Sequence, residues 1–99
     1  MAIYKNITSD DTHTLIAKKT GISGSIRKMS ICNHHDSSKN IINLFLYDST
    51  NTYVIAETII PARSTLVLTD NLSYDNRVYD LKITTDDDGG STNMTIIIK

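Results

Sequence analysis

The chain has 99 residues, with ten Lys and Arg against eleven Asp and Glu and a net charge of −1. Fifteen Ile, thirteen Thr and three Val stand against four Ala, one Glu and no Gln. β-Branched side chains suit a pleated surface and the best helix formers are scarce, which excludes a helical bundle. No basic excess exists to neutralise phosphates, so neither nucleic acid nor an anionic membrane is an expected partner.

Along the chain, a short strand is expected at Ala2–Asn6, then strands at Thr12–Lys18, Ser25–Asn33, Ile41–Asp48 and Tyr53–Ile59. Gly21-Ile22-Ser23-Gly24, Asn33–Asn40 and Ser49-Thr50-Asn51 read as the turns and loops between them. Pro61 has no donor for a ladder and belongs in a corner. In Thr65–Leu72, Leu66 and Leu68 lie on one face and Thr65, Val67 and Thr69 on the other, and Asp70–Asn76 reads as a loop. Arg77–Thr84 shows the clearest period of two, with Tyr79, Leu81 and Ile83 against Asp80, Lys82 and Thr84. Ser91–Lys99 sets Met94, Ile96 and Ile98 against Thr95 and Ile97. The intervening Asp86-Asp87-Asp88-Gly89-Gly90 reads as a hairpin connector, which predicts that the last two strands pair with each other.

Seven or eight short strands separated by turn signals predict an all-β chain, a single antiparallel β-sandwich over residues 1–99, jelly-roll-like or Ig-like, with an open barrel as the alternative. Its core is expected to be Ile and Leu carried by the five Tyr. No apolar stretch is long enough for a signal peptide or a membrane span. The single Cys32 has no internal disulfide partner, which fits a reducing compartment or a particle assembled inside a cell.

Few residues suggest chemistry. Cys32-Asn33-His34-His35-Asp36 contains metal-ligand types, but adjacent His34 and His35 diverge and no second pair closes a four-ligand site. Asp86, Asp87 and Asp88 are contiguous, without the alternation and terminal Glu of a calcium loop. Glu57 stands alone where a glycosidase needs two carboxylates, and no nucleophile or phosphate-loop signature is present. The chain is therefore expected not to be an enzyme and to use no cofactor or metal. Basic Lys18, Lys19, Arg27 and Lys28 in the first third and Asp70, Asp75, Asp80 and Asp86–Asp88 in the last suggest head-to-tail contacts between copies.

Met1–Thr8, Gly24-Ser25-Ile26 through Ile31-Cys32-Asn33, Asn43–Asp48, the Ile60-Pro61 corner and the run Leu66–Asp75 with its closing Tyr79–Thr85 strand together resemble small virion proteins of tailed bacteriophages, including phages of cyanobacteria. The resemblance implies a β-sandwich subunit of the virion, made in the host bacterial cytoplasm. It would act as a capsid cement or decoration protein, with the major capsid protein or other virion subunits as partners. A homo-oligomer, a trimer by analogy, is expected. Residues 1–7 are expected to form a contact arm, with Ala2, Ile3 and Tyr4 adding to a neighbour's sheet edge. The alternatives are a neck or tail component, or a receptor- or carbohydrate-binding module. In that last case Tyr47, Tyr53, Tyr74 and Tyr79 and the Asp70–Asn76 loop would hold the sugar.

Overall fold

Alternating apolar residues turn this chain into strands that each bury one face, and two sheets are needed to bury them against one another. The computed structural model describes residues 2–18, 24–69, 71–87 and 92–99. The strands are β1 (Ile3–Ile7), β2 (Thr12–Ile16), β3 (Gly24–Ile26), β4 (Met29–Asn33), β5 (Asn40–Tyr47), β6 (Thr52–Ile60), β7 (Ser64–Leu68), β8 (Leu72–Tyr74), β9 (Asp80–Asp87) and β10 (Met94–Ile98). No helix occurs among the described residues, so none is long and apolar enough to cross a membrane.

The first sheet has the order β1-β10-β4-β7 and the second β2-β9-β5-β6; β3 and β8 form a separate pair. All pairings are antiparallel. At one end of the sandwich the chain crosses from sheet to sheet four times, between β1 and β2, β4 and β5, β6 and β7, and β9 and β10. Two four-stranded sheets wired in this way make a jelly roll.

This wiring corrects the hairpin expected at Asp86–Gly90. β9 pairs with β2 and β5, and β10 with β1 and β4, so the last two strands face each other across the core. A period of two reveals which face of a strand is apolar; it is silent on whether the neighbour in sequence lies beside or opposite. Asp86 and Asp87 extend β9, while residues 88–90, like residues 21–23, lie outside the described set. The expected Ser25–Asn33 strand breaks at Arg27-Lys28 into β3 and β4, and the loop expected at Asp70–Asn76 contains β8.

Between the sheets lie Ile31, Ile42, Leu44, Leu81, Ile83 and Ile96, all fully inaccessible, with Met29 and Met94 filling the gaps and Ile7, Leu15, Ile26, Ile60 and Ile98 completing the cluster. Each such side chain contributes roughly 1.5–3 kcal/mol through removal from water. The five tyrosines are absent from this buried cluster, contrary to expectation; only Tyr74 packs against its edge. A phenol ring carries a polar tip, which favours the rim over the dry interior.

Candidate functional site

β5 has an unusual sequence for a strand with one wet face. Its core-facing set is Asn40, Ile42 and Leu44, and the intervening outward positions include Ile41 and Phe45. An antiparallel sheet open to water on one side normally alternates apolar and polar, whereas a strand apolar on both faces reads as covered on both. Register extends this outer surface sideways. Ile41 pairs with Ile59 and Phe45 with Val54 on β6. Ile41 is 44% exposed, Ile59 52% and Val54 52%, while Phe45 is only 8% exposed beneath its neighbours.

A bulge shapes this surface. Leu44 pairs with Ala56 and Phe45 with Val54, so Ile55 is an extra residue on β6. Two β6 residues, Ile55 and Ala56, thus pack against the core opposite one, and Val54 is turned outward. Between Ile41 and Phe45 sits Asn43, whose Oδ1 is buried with no hydrogen-bond partner among the described residues. An unsatisfied buried acceptor costs about 1–3 kcal/mol, which a donor laid over this face would relieve. The signal for this surface lay in Ile41-Ile42-Asn43-Leu44-Phe45-Leu46, where apolar residues occupy both alternation sets.

Ala2, Ile3 and Tyr4 lie at the start of the molecule's first edge strand. Residues 3–7 form β1, paired with β10 in the register Ile3–Ile98 to Ile7–Met94, so the stretch read as an arm is part of the sheet. Ile7 belongs to the core and Ile3 packs against it, whereas Ala2 and Tyr4 are exposed, Tyr4 at 68%. Lys5 pairs with core-facing Ile96 and so carries a charge on the inward side of the edge, a feature that discourages further strand pairing.

The tyrosines of the sugar-binding alternative gather at the end opposite the four crossings. Tyr53 and Tyr79 meet edge to face, with ring centres 5.8 Å apart and planes at 87°. Lys82 Nζ lies 4.9 Å from the centre of the Tyr47 ring, above a shallow depression lined by Thr12, Phe45 and Thr52. Burial first, and the Asp80 carboxylate second, push the Tyr74 phenol above its ordinary value of 10.0. Its hydroxyl is buried without a hydrogen-bond partner among the described residues. Hydrogen bonds from the Arg77 side chain and backbone hold Asp75 below the usual carboxylate range.

At the crossing end the polar residues act as fasteners. Asn33, fully buried, reaches Ser38 O at 3.0 Å, Ile60 O at 3.0 Å and Pro61 O at 3.3 Å with Nδ2, and its Oδ1 accepts from His35 N at 3.2 Å. His35 Nδ1 accepts from the amides of Ser37 and Ser38, and His34 Nε2 shares a 3.1 Å hydrogen bond with Thr95 Oγ1. Asn40 donates to Thr92 Oγ1, which donates to Asp10, and Asn40 Oδ1 accepts from Asp86 N. The residues of the Cys32–Asp36 segment thus serve the corner, and the described residues contain no group of three His, Cys, Asp or Glu placed to hold a metal ion.

No family model and no curated protein sequence matches the chain. Solved structures do share its fold. A pentameric capsid protein isolated from metagenomic phage sequences aligns over 96% of this chain and 66% of its own, at 10% identity and TM-score 0.55. The CBM32 module of AlyQ, solved with 4,5-unsaturated mannuronic acid, aligns over 97% and 76%, at 12% identity and TM-score 0.54. The Drosophila NLP core, described in terms of pentamer formation and histone binding, aligns over 97% and 95%, at 13% identity and TM-score 0.53. At such identities the likeness is one of fold.

Proposed function

We propose that this chain is a structural protein of a phage virion that works as a homo-oligomer, most concretely a capsid cement or decoration protein. The carrying observation is the outer face of β5 and β6, where Ile41, Ile59, Val54 and Phe45 flank the cross-strand pair of Asn43 and exposed Glu57, and the Asn43 oxygen is buried without a hydrogen-bond partner among the described residues. A copy laid on this face would remove apolar surface from water and supply a donor to Asn43. Two solved proteins of the same fold are pentamers, one of them a phage capsid protein, which supports five copies over the three first expected by analogy.

In this reading the chain performs no catalytic step. A ring of sandwiches bound across capsid subunits adds interfaces that internal pressure must break in addition to the shell's own, each burying on the order of 1,600 Å² if it is of standard size. The exposed polar residues of the first sheet's outer face, among them Asn6 and Thr65, then remain for contacts with other virion subunits. Cryo-electron microscopy of the purified particle tests the reading. Jelly-roll density on the shell at a symmetry axis is expected; absence of the chain from purified particles by mass spectrometry would overturn it.

A second reading, a carbohydrate-binding module of a tail fibre or spike, is favoured by the Tyr53–Tyr79 pair, in which Tyr53 is exposed, and by the separate pair of Tyr47 and Lys82. Aromatic faces stack on sugar rings and the cation suits an acidic sugar. Glycan-array binding that Tyr53→Ala abolishes would support it. No binding to neutral or acidic glycans would remove it.

A further inference from the structure

The two sheets part at the end that carries β3 and β8. There Ile26, Met29, Ile55, Leu68 and Leu72 line a partly open apolar cavity of about 200 Å³, with Asn71 as its polar lining residue. The Ile55 bulge supplies one wall and the short β3–β8 pair another, since Ile26 stands opposite Leu72 in that pair. Pockets for cofactors and other small molecules run to roughly 300–1,000 Å³. A cavity of this size and lining instead matches one large apolar side chain, as engineered cavities near 150 Å³ accept a single benzene ring.

Basic residues lie on one side of it. Arg27 and Lys28 are the two residues between the lining residues Ile26 and Met29, and both are exposed. The amides of Arg27 and Lys28 donate to Lys99 O at 2.8 and 3.2 Å, and Lys99 N donates to Lys28 O at 2.9 Å, which fixes the three cationic residues at one corner. None of the three takes part in an ion pair among the described residues. Hydrophobic depth next to unpaired positive charge defines the complement: an apolar anchor carried between carboxylates.

We propose that this cavity docks an extended acidic segment of another protein, which inserts one Phe, Leu or Met side chain between β6, β7 and β8 while its carboxylates face Arg27, Lys28 and Lys99. The site lies apart from the β5–β6 outer face and does not depend on self-association there. It gives the chain a separate surface for a different partner, with affinity that falls as salt rises.

Methyl-detected NMR of the full chain, titrated with the capped peptide Asp-Glu-Phe-Asp-Glu and with Lys-Arg-Phe-Lys-Arg, tests the proposal. Saturable shifts at Ile26, Leu68 and Leu72 are expected with the acidic peptide, and binding about tenfold weaker with the basic one. Arg27→Glu combined with Lys28→Glu, both at exposed positions, is expected to reverse that preference while leaving the dispersion of the core methyls unchanged. No saturable shift, or equal response to the two peptides, would overturn the proposal. So would binding of decanoate with the acidic peptide silent, which would mark an amphiphile site, or shifts that depend on protein concentration alone, which would mark a second copy as the occupant.

Discussion

Ile41 and Ile59 stand directly opposite each other on adjacent antiparallel strands, both on the outer surface of the sandwich and both about half exposed. Cross-strand β-branched pairs stabilise a sheet by some tenths of a kcal/mol, but burial against another protein would add far more. Replacing both by Thr keeps β-branching. The folding stability of an isolated copy is therefore expected to change by no more than about 0.5 kcal/mol per site, measured by urea denaturation at high dilution, while solubility rises.

Asn33 ties the Ser38 and Pro61 carbonyls and the last carbonyl of β6, that of Ile60, to the end of β4. Asn33→Ala leaves buried carbonyls without a donor, and a loss of about 2–4 kcal/mol is expected in chemical denaturation. Asn33→Asp, which keeps the size and replaces the donor with an acceptor, should be at least as damaging.

The Tyr74 hydroxyl, buried and unpaired, predicts the opposite outcome. Tyr74→Phe removes a desolvated polar group that makes no hydrogen bond, so stability is expected to stay level or rise by up to about 1 kcal/mol. The phenol's value is raised in the fold, so the stability tied to its proton is intact below 10.0 and is lost as pH climbs through the higher folded value. Denaturation midpoints of the wild type should therefore fall more steeply above pH 10 than those of Tyr74→Phe.

The turn between β5 and β6 is closed by Asp48, whose Oδ1 accepts from Asn51 N at 2.6 Å and Thr50 N at 2.9 Å around Ser49 at φ 81°. The Asn51 amide, then that of Thr50, lowers the Asp48 carboxyl from 3.8. A lowered value means that the stabilisation is present above 3.8 and disappears as pH falls through the folded value. Asp48→Ala is expected to melt at a lower temperature than the wild type at neutral pH, with the two melting curves converging in acid.

Local patterns exposed the elements, and long-range geometry supplied the rest. Leu81 and Ile83, like Met94, Ile96 and Ile98, declared their buried faces by alternation, and Pro61 marked the corner between β6 and β7. Which sheet each strand joins depends on partners many residues away, so the Asp-Gly signal after β9 suggested a hairpin where the chain crosses the core. The break at Arg27-Lys28 escaped notice because neither Gly nor Pro marks it. β8 escaped because Asp70, Asn71, Asp75 and Asn76 dominate the composition around three strand residues. The outer surface of β5 was legible in its consecutive apolar residues, yet a run of that kind is equally the mark of a central buried strand.

Self-association through the β5–β6 face is the central claim, and native mass measurement at micromolar concentration tests it most directly. The wild-type chain is predicted to run as an oligomer, five copies by the reading above, and the variant carrying Ile41→Asp and Ile59→Asp as a folded 11.0 kDa monomer. A wild-type chain that remains at 11.0 kDa, or a variant that assembles as the wild type does, would contradict it.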